Sequence, residues 1–415
     1  MMGDILFLAH RVPFPPDRGD KIRSWNLLRA MTRLGRVHVG TFADNGVDAA
    51  HAEALRPLVG KLHVEERRVS QPRAVARSLI RRRPASVAAF ESATMQAFVE
   101  RTLEDEPVDT IFAYSGQMAQ FVPANRLGLR FVMDFVDVDS AKFAAYAEAS
   151  RMPMRWLYRR EARSLYEFER RTAMRADLSL FVSEAEARLF RTFAGIGSRQ
   201  VCALENGIDL VFFRPDADVA PAEMDHSEAG PLIVFTGQMD YRPNIQAVTD
   251  FAMETLQRIR ERYPAARFAI VGRNPARSVL RLADEPGVIV TGAVVDIRSW
   301  LKAADVVVAP LRLARGIQNK VLEAMAMGKA VVASPAAFEG IDAKDGRDLI
   351  VAVPAAEADA VCALIADPAR AREIGMAARA LVEARYGWEA RLAPLPGMLG
   401  RGESTDHDAP AGAAA

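Results

Sequence analysis

The stretch with the most evident chemical capacity is Arg315-Gly-Ile-Gln-Asn-Lys-Val-Leu-Glu-Ala-Met-Ala-Met-Gly328, which lies between the apolar runs at 306–309 and 330–333. It reads as strand, loop, helix, strand. Gly316 lets a ligand approach the backbone, Asn319 and Lys320 stand at the helix start, and Glu323 lies one turn beyond Asn319 on the same face. This arrangement suits a nucleotide diphosphate. The lysine neutralises phosphate, the helix terminus supplies N–H donors, and the carboxylate accepts both hydroxyls of a ribose. The competing reading is an ordinary surface helix with a solvated Lys and Glu.

Other polar segments also follow apolar runs, where the carboxyl ends of parallel strands hold ligands. After 232–236 come Gly237, Gln238, Arg242 and Asn244, with Arg242 equally readable as a solvated loop charge. After 267–271 come Gly272, Arg273 and Asn274, and asparagine is the non-glycine residue that best tolerates positive φ. Thr291 to Asp296, containing Val294, reads by itself as a turn and helix cap. In the first half, residues 5–9 precede His10, a core or loop histidine, and then Pro13 to Arg23 with Gly19 at its centre. Arg18, Lys21 and Arg23 there read as solvent-facing. Residues 131–135 run into Asp134, Asp137, Asp139 and Ser140, where Asp139 or Ser140 also serves as a helix N-cap candidate.

These residues need elements to hold them. A strand at 5–9, a helix at about 21–34 and a strand at 37–42 make a βαβ unit, with Asp20 placed to cap the helix and Gly35 to stop it. Further strands are expected at 110–114, 129–135 and 178–182, and a second series at 232–236, 267–271, 287–290, 306–309, 330–333 and 349–351. With 415 residues the chain exceeds one ordinary core. The reading is α/β, with a domain over 1–208, a second over 209–385, a C-terminal crossover at 386–400 and a disordered tail at 401–415. The stretch 205–230 between the halves reads as a linker.

Lys and Arg total 54 against 53 Asp and Glu, so no general attraction to nucleic acid is expected. Cys202 and Cys362 are far apart and read as structural thiols of a reducing compartment. No run reaches about 18 apolar residues, and the N-terminal run is too short for a signal peptide, so a cytoplasmic protein is expected. Residues 151–175 hold eight arginines and three glutamates, and 71–84 a second arginine-rich stretch. One of these is either a docking face at the inner side of an anionic membrane or a solvated helix laced by Glu–Arg pairs.

Leu322-Glu-Ala-Met-Ala-Met-Gly-Lys-Ala-Val-Val-Ala-Ser334 resembles the donor-site motif of the family 4 retaining glycosyltransferases. Glu323 matches the second glutamate of that motif, which in the family binds ribose hydroxyls, and Arg315 stands where the first is expected. The Arg-Gly-Ile-Gln-Asn-Lys stretch resembles a branch associated with PEP-CTERM exopolysaccharide clusters. The segments at 235–244, 271–275 and 291–296 resemble the family's loops around diphosphate, nucleotide and base, and Gly19 matches its glycine loop.

The resemblance implies a GT-B fold of two facing Rossmann-like domains with parallel sheets. It implies a UDP- or GDP-linked sugar donor, no metal or cofactor, and transfer with retention to a saccharide or lipid-linked acceptor. The donor would contact Gly237, Gln238, Arg242, Gly272, Arg273, Val294, Arg315, Gly316, Ile317, Asn319 and Glu323. Lys320 would stabilise the leaving diphosphate, and Asp137 and Asp139 would bind donor-sugar hydroxyls or steady positive charge. A nucleotide-sugar 2-epimerase and a non-catalytic sugar-nucleotide-binding protein are the alternatives.

Overall fold

The computed structural model describes residues 3–16, 18–67, 83–125, 128–222, 230–314 and 317–402. The chain divides into two compact units, one reaching to Asn206 and rejoined from Leu392, the other Gly207–Arg391. Each is an α/β unit around one parallel sheet.

In the first unit the strands are β1 (Asp4–Ala9), β2 (Val37–Ala43), β3 (Leu62–Glu66), β4 (Val108–Tyr114), β5 (Arg130–Val136), β6 (Leu178–Phe181) and β7 (Val201–Ala203). They lie in the order β3-β2-β1-β4-β5-β6-β7. In the second unit β8 (Leu232–Thr236), β9 (Arg267–Val271), β10 (Val288–Gly292), β11 (Val306–Ala309), β12 (Val331–Ala333) and β13 (Ile350–Val351) lie in the order β10-β9-β8-β11-β12-β13. Both orders run outward from the first strand and then reverse. Helices cover both faces of such a sheet, so its inner strands must be apolar throughout. β8, β9 and β11 are accordingly buried at every residue.

The expected strands are present, and two more, β3 and β7, stand at the edges of the first sheet. An edge strand pairs on one side only and tolerates polar residues, so Leu62-His-Val-Glu-Glu66 and the three-residue β7 lack the apolar run that marks an inner strand.

The first helix, Gly19–Thr32, corrects three expectations. Arg18 occupies its N-cap without a side-chain cap, and Asp20 lies in the first turn, where its carboxylate takes Arg11 at 2.8 Å and Arg18 at 3.1 Å. Lys21 and Arg23 are buried, because the helix turns their side of the first turn onto the sheet. Lys21 Nζ meets Asp48 at 2.8 Å; Arg23 Nε donates to Asp134 at 2.9 Å and its Nη1 to Asn206 at 2.8 Å.

The linker is not a free tether either. Ile208, Ala217 and Ala222 are buried, and Ile208 bridges to Gly387. Arg298 donates to Phe212 O and Lys302 to Ala217 O, so the segment's carbonyls are tied to the second unit. The tail expected at 401–415 lies outside the described residues from 403 on, but Arg401 itself is buried. Its guanidinium donates to Gly3 O at 2.8 Å and Leu34 O at 3.2 Å and pairs with Asp109. Gly35 makes room for it, since a Cβ there would stand 2.6 Å from Arg401 Nη1.

Asp134 has no solvent exposure, and burial pushes its pKa upward against the pull of Arg23. Removing one member of a buried ion pair strands the other. Arg23→Ala should therefore cost about 3–5 kcal/mol of stability, measured by denaturant unfolding; a loss under about 1 kcal/mol would show that water or a rearranged side chain replaces the guanidinium.

Candidate functional site

In the second sheet β8 and β11 are neighbours, but the chain proceeds from them in opposite directions, to β9 and to β12. Such a switch point leaves a crevice outside the carboxyl ends of the two strands. Residues 237–241, after β8, and 310–318, after β11, follow these ends.

The backbones at this end are locked together closely. Gly237 N donates to Val271 O at 3.0 Å and Gly272 N to Gly292 O at 3.2 Å. A Cβ on Gly272 would fall 1.6 Å from Gly237 O, so no side chain fits there. A Cβ on Gly237 would come within 2.8 Å of Asn244 Nδ2 and 3.1 Å of Lys320 Nζ. The bare backbone at 237 is what leaves space for the lysine.

Lys320 enters from the helix Asn319–Ala326. Its Nζ donates to Asn244 Oδ1 at 2.6 Å and lies 4.4 Å from the centre of the Phe235 ring. Asn244 is buried, and its Nδ2 donates to Gln238 O at 2.8 Å, which aims the amide oxygen at the ammonium. Lys320 makes no ion pair among the described residues. Burial lowers its pKa to about 8, partly opposed by the charge of Glu323. Burial likewise raises Glu323 to about 7, against the pull of Lys320, and no described group donates a hydrogen bond to its carboxylate. A cation and a carboxylate thus share one helix end, both short of water and neither neutralised by the other. Such an end can bind an anion and a pair of hydroxyl donors.

The other expected residues take varied positions. Asn274 adopts φ 56°, as its type permits. Gln238, Arg242, Arg273 and Asn319 are exposed, and the guanidiniums of Arg242 and Arg273 have no partner among the described residues. Val294 and Ile317 are half-buried against the core, and Arg312 is taken by Asp250 at 3.0 Å. Asp296 caps its helix, accepting from Arg298 N at 2.9 Å. Arg315 and Gly316 lie outside the described residues.

In the first unit the switch point falls between β1 and β4. His10, just past β1, is packed beside Tyr114 at 5.6 Å and Phe90 at 6.2 Å, and burial lowers its pKa. Gly19 is exposed, with nothing within 4 Å of a would-be Cβ, so the fold itself does not demand glycine there.

After β5, Val136 takes φ 72°, a costly value for a β-branched residue. Carboxylates hold the turn: Val136 N donates to Asp134 at 3.1 Å, Val138 N to Glu186 at 2.7 Å and Ser140 N to Glu169 at 3.1 Å. Neither Asp139 nor Ser140 caps the next helix, Asp139–Ala149. Val138 stands at the cap position, because distant glutamates already serve these amides. Asp137 and Asp139 are half-buried beside each other's charge, and burial raises Asp139. Glu169, raised by burial to about 8, and Glu186 were not anticipated, since they come from helices far along the chain.

Among the described residues, Asp4, His38 and Glu106 cluster closely enough to suggest a metal. Lys61 N donates to His38 Nδ1 at 3.0 Å, which leaves Nε2–H to donate to Asp4 at 2.9 Å. Both ring nitrogens are thereby occupied.

Residues 21–207 match the family described as "Glycosyl transferase 4-like domain", and residues 230–367 that described as "Glycosyl transferases group 1". A GDP-mannose-dependent alpha-(1-6)-phosphatidylinositol monomannoside mannosyltransferase of Mycolicibacterium smegmatis is 29% identical over 259 residues, 56% of this chain and 66% of that protein. An alpha-maltose-1-phosphate synthase of the same organism is 30% identical over 254 residues, 53% of this chain and 62% of that protein. The chain thus matches slightly under two thirds of the length of these curated relatives.

The fold is similar to Anabaena HepE, solved with UDP and glucose, with TM-score 0.61 and 17% identity over 96% of this chain and 100% of that one. It is also similar to sucrose-phosphate synthase of Thermosynechococcus elongatus, with TM-score 0.60 and 20% identity over 96% and 98% of the two chains. Among the described residues no helix is long and apolar enough to cross a membrane.

The raised pKa of Glu323 has a measurable effect. An acid whose folded pKa exceeds its unfolded value binds more protons when folded, so it lowers stability as pH rises from about 4.5 toward 7. Glu323→Gln should match wild type near pH 4 and become the more stable of the two through that window. Partial exposure of the carboxylate limits the gain to about 1–2 kcal/mol. Parallel thermal melts across pH would contradict this environment.

Proposed function

We propose that the chain, whose two halves match these two glycosyltransferase families, is a GT-B glycosyltransferase that transfers a sugar from a nucleotide-diphosphate donor. The observation that carries the reading is Lys320, a half-buried ammonium at the β8–β11 switch point whose only hydrogen-bond partner among the described residues is the neutral amide of Asn244. An anion reaching it displaces no carboxylate from an ion pair.

In this reading the donor diphosphate lies against Lys320 and the N–H groups at the start of the helix Asn319–Ala326, with the bare backbone at Gly237 leaving room beside it. Glu323, deprotonated, accepts the two ribose hydroxyls of a UDP- or GDP-linked sugar. Departure of the sugar places charge on the diphosphate, and a half-buried ammonium fixed in place by Asn244 stabilises that charge. Gln238, Arg242, Arg273, Val294, Arg315, Gly316, Ile317 and Asn319 are the other proposed donor contacts, and Gly19, Asp137 and Asp139 those from the first unit. No metal has a role. Transfer proceeds with retention to a saccharide or lipid-linked saccharide, in keeping with the exopolysaccharide-associated branch that the Arg-Gly-Ile-Gln-Asn-Lys stretch resembles.

Thermal-shift titration with UDP- and GDP-sugars tests this. A matching donor should raise the melting temperature of wild type, and Lys320→Asn should weaken it roughly ten- to a hundredfold, as expected for a lost charged hydrogen bond. Glu323→Ala should weaken nucleoside binding by a smaller factor. Exchanging the partners, Lys320→Asn with Asn244→Lys, should restore most of the affinity, because the ammonium then enters the same place from the opposite side. Absence of any stabilising nucleotide overturns the proposal; donor turnover without an acceptor would identify an epimerase instead.

A further inference from the structure

The helical hairpin of the first unit carries charges that neither its fold nor the proposed transfer uses. The helices are Asp139–Ala149 and Met154–Arg175. Two sets of arginines stand at the opposite ends of the second. Toward its C-terminus Arg170, Arg171 and Arg175 donate to backbone carbonyls of Ala194, Glu167, Val122 and Pro123. At its other end Arg151, just before the helix, and Arg155, Arg159 and Arg163 are exposed, and among the described residues their guanidiniums have no ion-pair or hydrogen-bond partner.

Of the three glutamates of this stretch, Glu161 and Glu169 face inward, and Glu167, exposed one turn beyond Arg163, makes no ion pair among the described residues. Glu161 accepts from Ala85 N and from Ser86 N and Oγ, and Glu169 accepts from Ser140. The Glu–Arg lacing of a plain solvated helix is therefore missing at this end. Within the helix, Arg155, Arg159 and Arg163 recur every four residues and form one slowly turning, exposed stripe along the flank of the buried face. The positive end of the helix dipole adds to their charge. The preceding helix carries one exposed acid, Glu148, and one exposed base, Lys142.

Large apolar side chains project from the same end. Met152 is 70% exposed, Trp156 54%, Tyr146 45% and Met154 41%. Tyr146 leans on Phe143 and Tyr158, each at 5.9 Å between ring centres, which stiffens the base of the patch. Unpaired arginines beside tryptophan and methionine are the composition of an interfacial anchor: the apolar groups enter the headgroup boundary while the guanidiniums meet lipid phosphates. A nucleic acid would engage the cations but leave the methionines in water.

We infer that the hairpin end from Tyr146 to Arg163 docks on an anionic lipid surface. This surface would bring the chain to a lipid-linked acceptor, but it stands on different residues from the donor site and does not depend on that assignment.

Sedimentation of the full chain with phosphatidylcholine vesicles, with and without phosphatidylglycerol, tests it. Wild type should pellet with the anionic vesicles, remain in solution with the neutral ones, and be released as salt is raised. The double variant Arg155→Glu/Arg159→Glu should bind at least about tenfold more weakly, and Trp156→Ala should also lose binding at low salt. All these side chains are exposed, so the melting temperature and its response to nucleotide sugars should not change, which separates failure of this inference from failure of the donor assignment. Equal binding to neutral and anionic vesicles, or wild-type binding by the charge-reversed variant, overturns the inference. So does capture of RNA or an acidic protein by this face with no binding to vesicles.

Discussion

An ammonium taken out of water has to be repaid by something, and the usual currency is a carboxylate. At the carboxyl end of β8 and β11 Lys320 instead has one amide oxygen, one aromatic face and a glutamate too far away to pair. Several local choices follow from that single group. Residue 237 must lack a side chain to admit the ammonium, residue 272 must lack one so that Gly237 can turn where it does, and Asn244 must be held by Gln238 O so that its oxygen faces the lysine. The chain order of the sheet makes this possible, because it opens a crevice where β8 and β11 diverge.

The two units share a topology but organise their ligand-facing ends with opposite charge. The second presents a cation short of partners. The first gathers acids: Asp134, Glu169 and Glu186 each accept a backbone amide of the turn after β5, and the strained Val136 is kept in place by that scaffold. Carboxylates spent on amides are fixed in direction, which leaves Asp137 and Asp139 as the acids of that turn without such duty. Burial of Asp139 and Glu169 makes their charged forms costly, so this end favours company that is positive or that donates hydrogen bonds.

Much of this was legible in the sequence because buried parallel strands leave continuous apolar runs, and those of β8, β9 and β11 admit no other reading. The edge strands were not, since Leu62-His-Val-Glu-Glu66 shows its polar side chains to solvent on one side. Asn274 could be read from its conformational tolerance alone. Lys21 and Arg23 could not, because each is buried only by virtue of an acid far away in sequence, Asp48 and Asp134. The same non-locality hid Glu169 and Glu186, whose periodic helices read only as coverings for a sheet. For Arg151, Arg155, Arg159 and Arg163, sequence supplied the positions, but only the structure, with Glu161 and Glu169 turned inward, shows that none of the four forms an ion pair among the described residues.

Arg401 adds a constraint of timing. Its guanidinium closes the region between Gly3, Leu34 and Asp109, beneath the first strands to be made, and Arg130 of β5 is bound to Met398 O. Gly3 thus waits for a partner 398 positions later in the chain. While the ribosome is still elongating the chain, the first unit can assemble its sheet but not its lower seam, whereas Gly207–Arg391 contains all of its own strands. Of the two units, the one whose strands are made first is closed last.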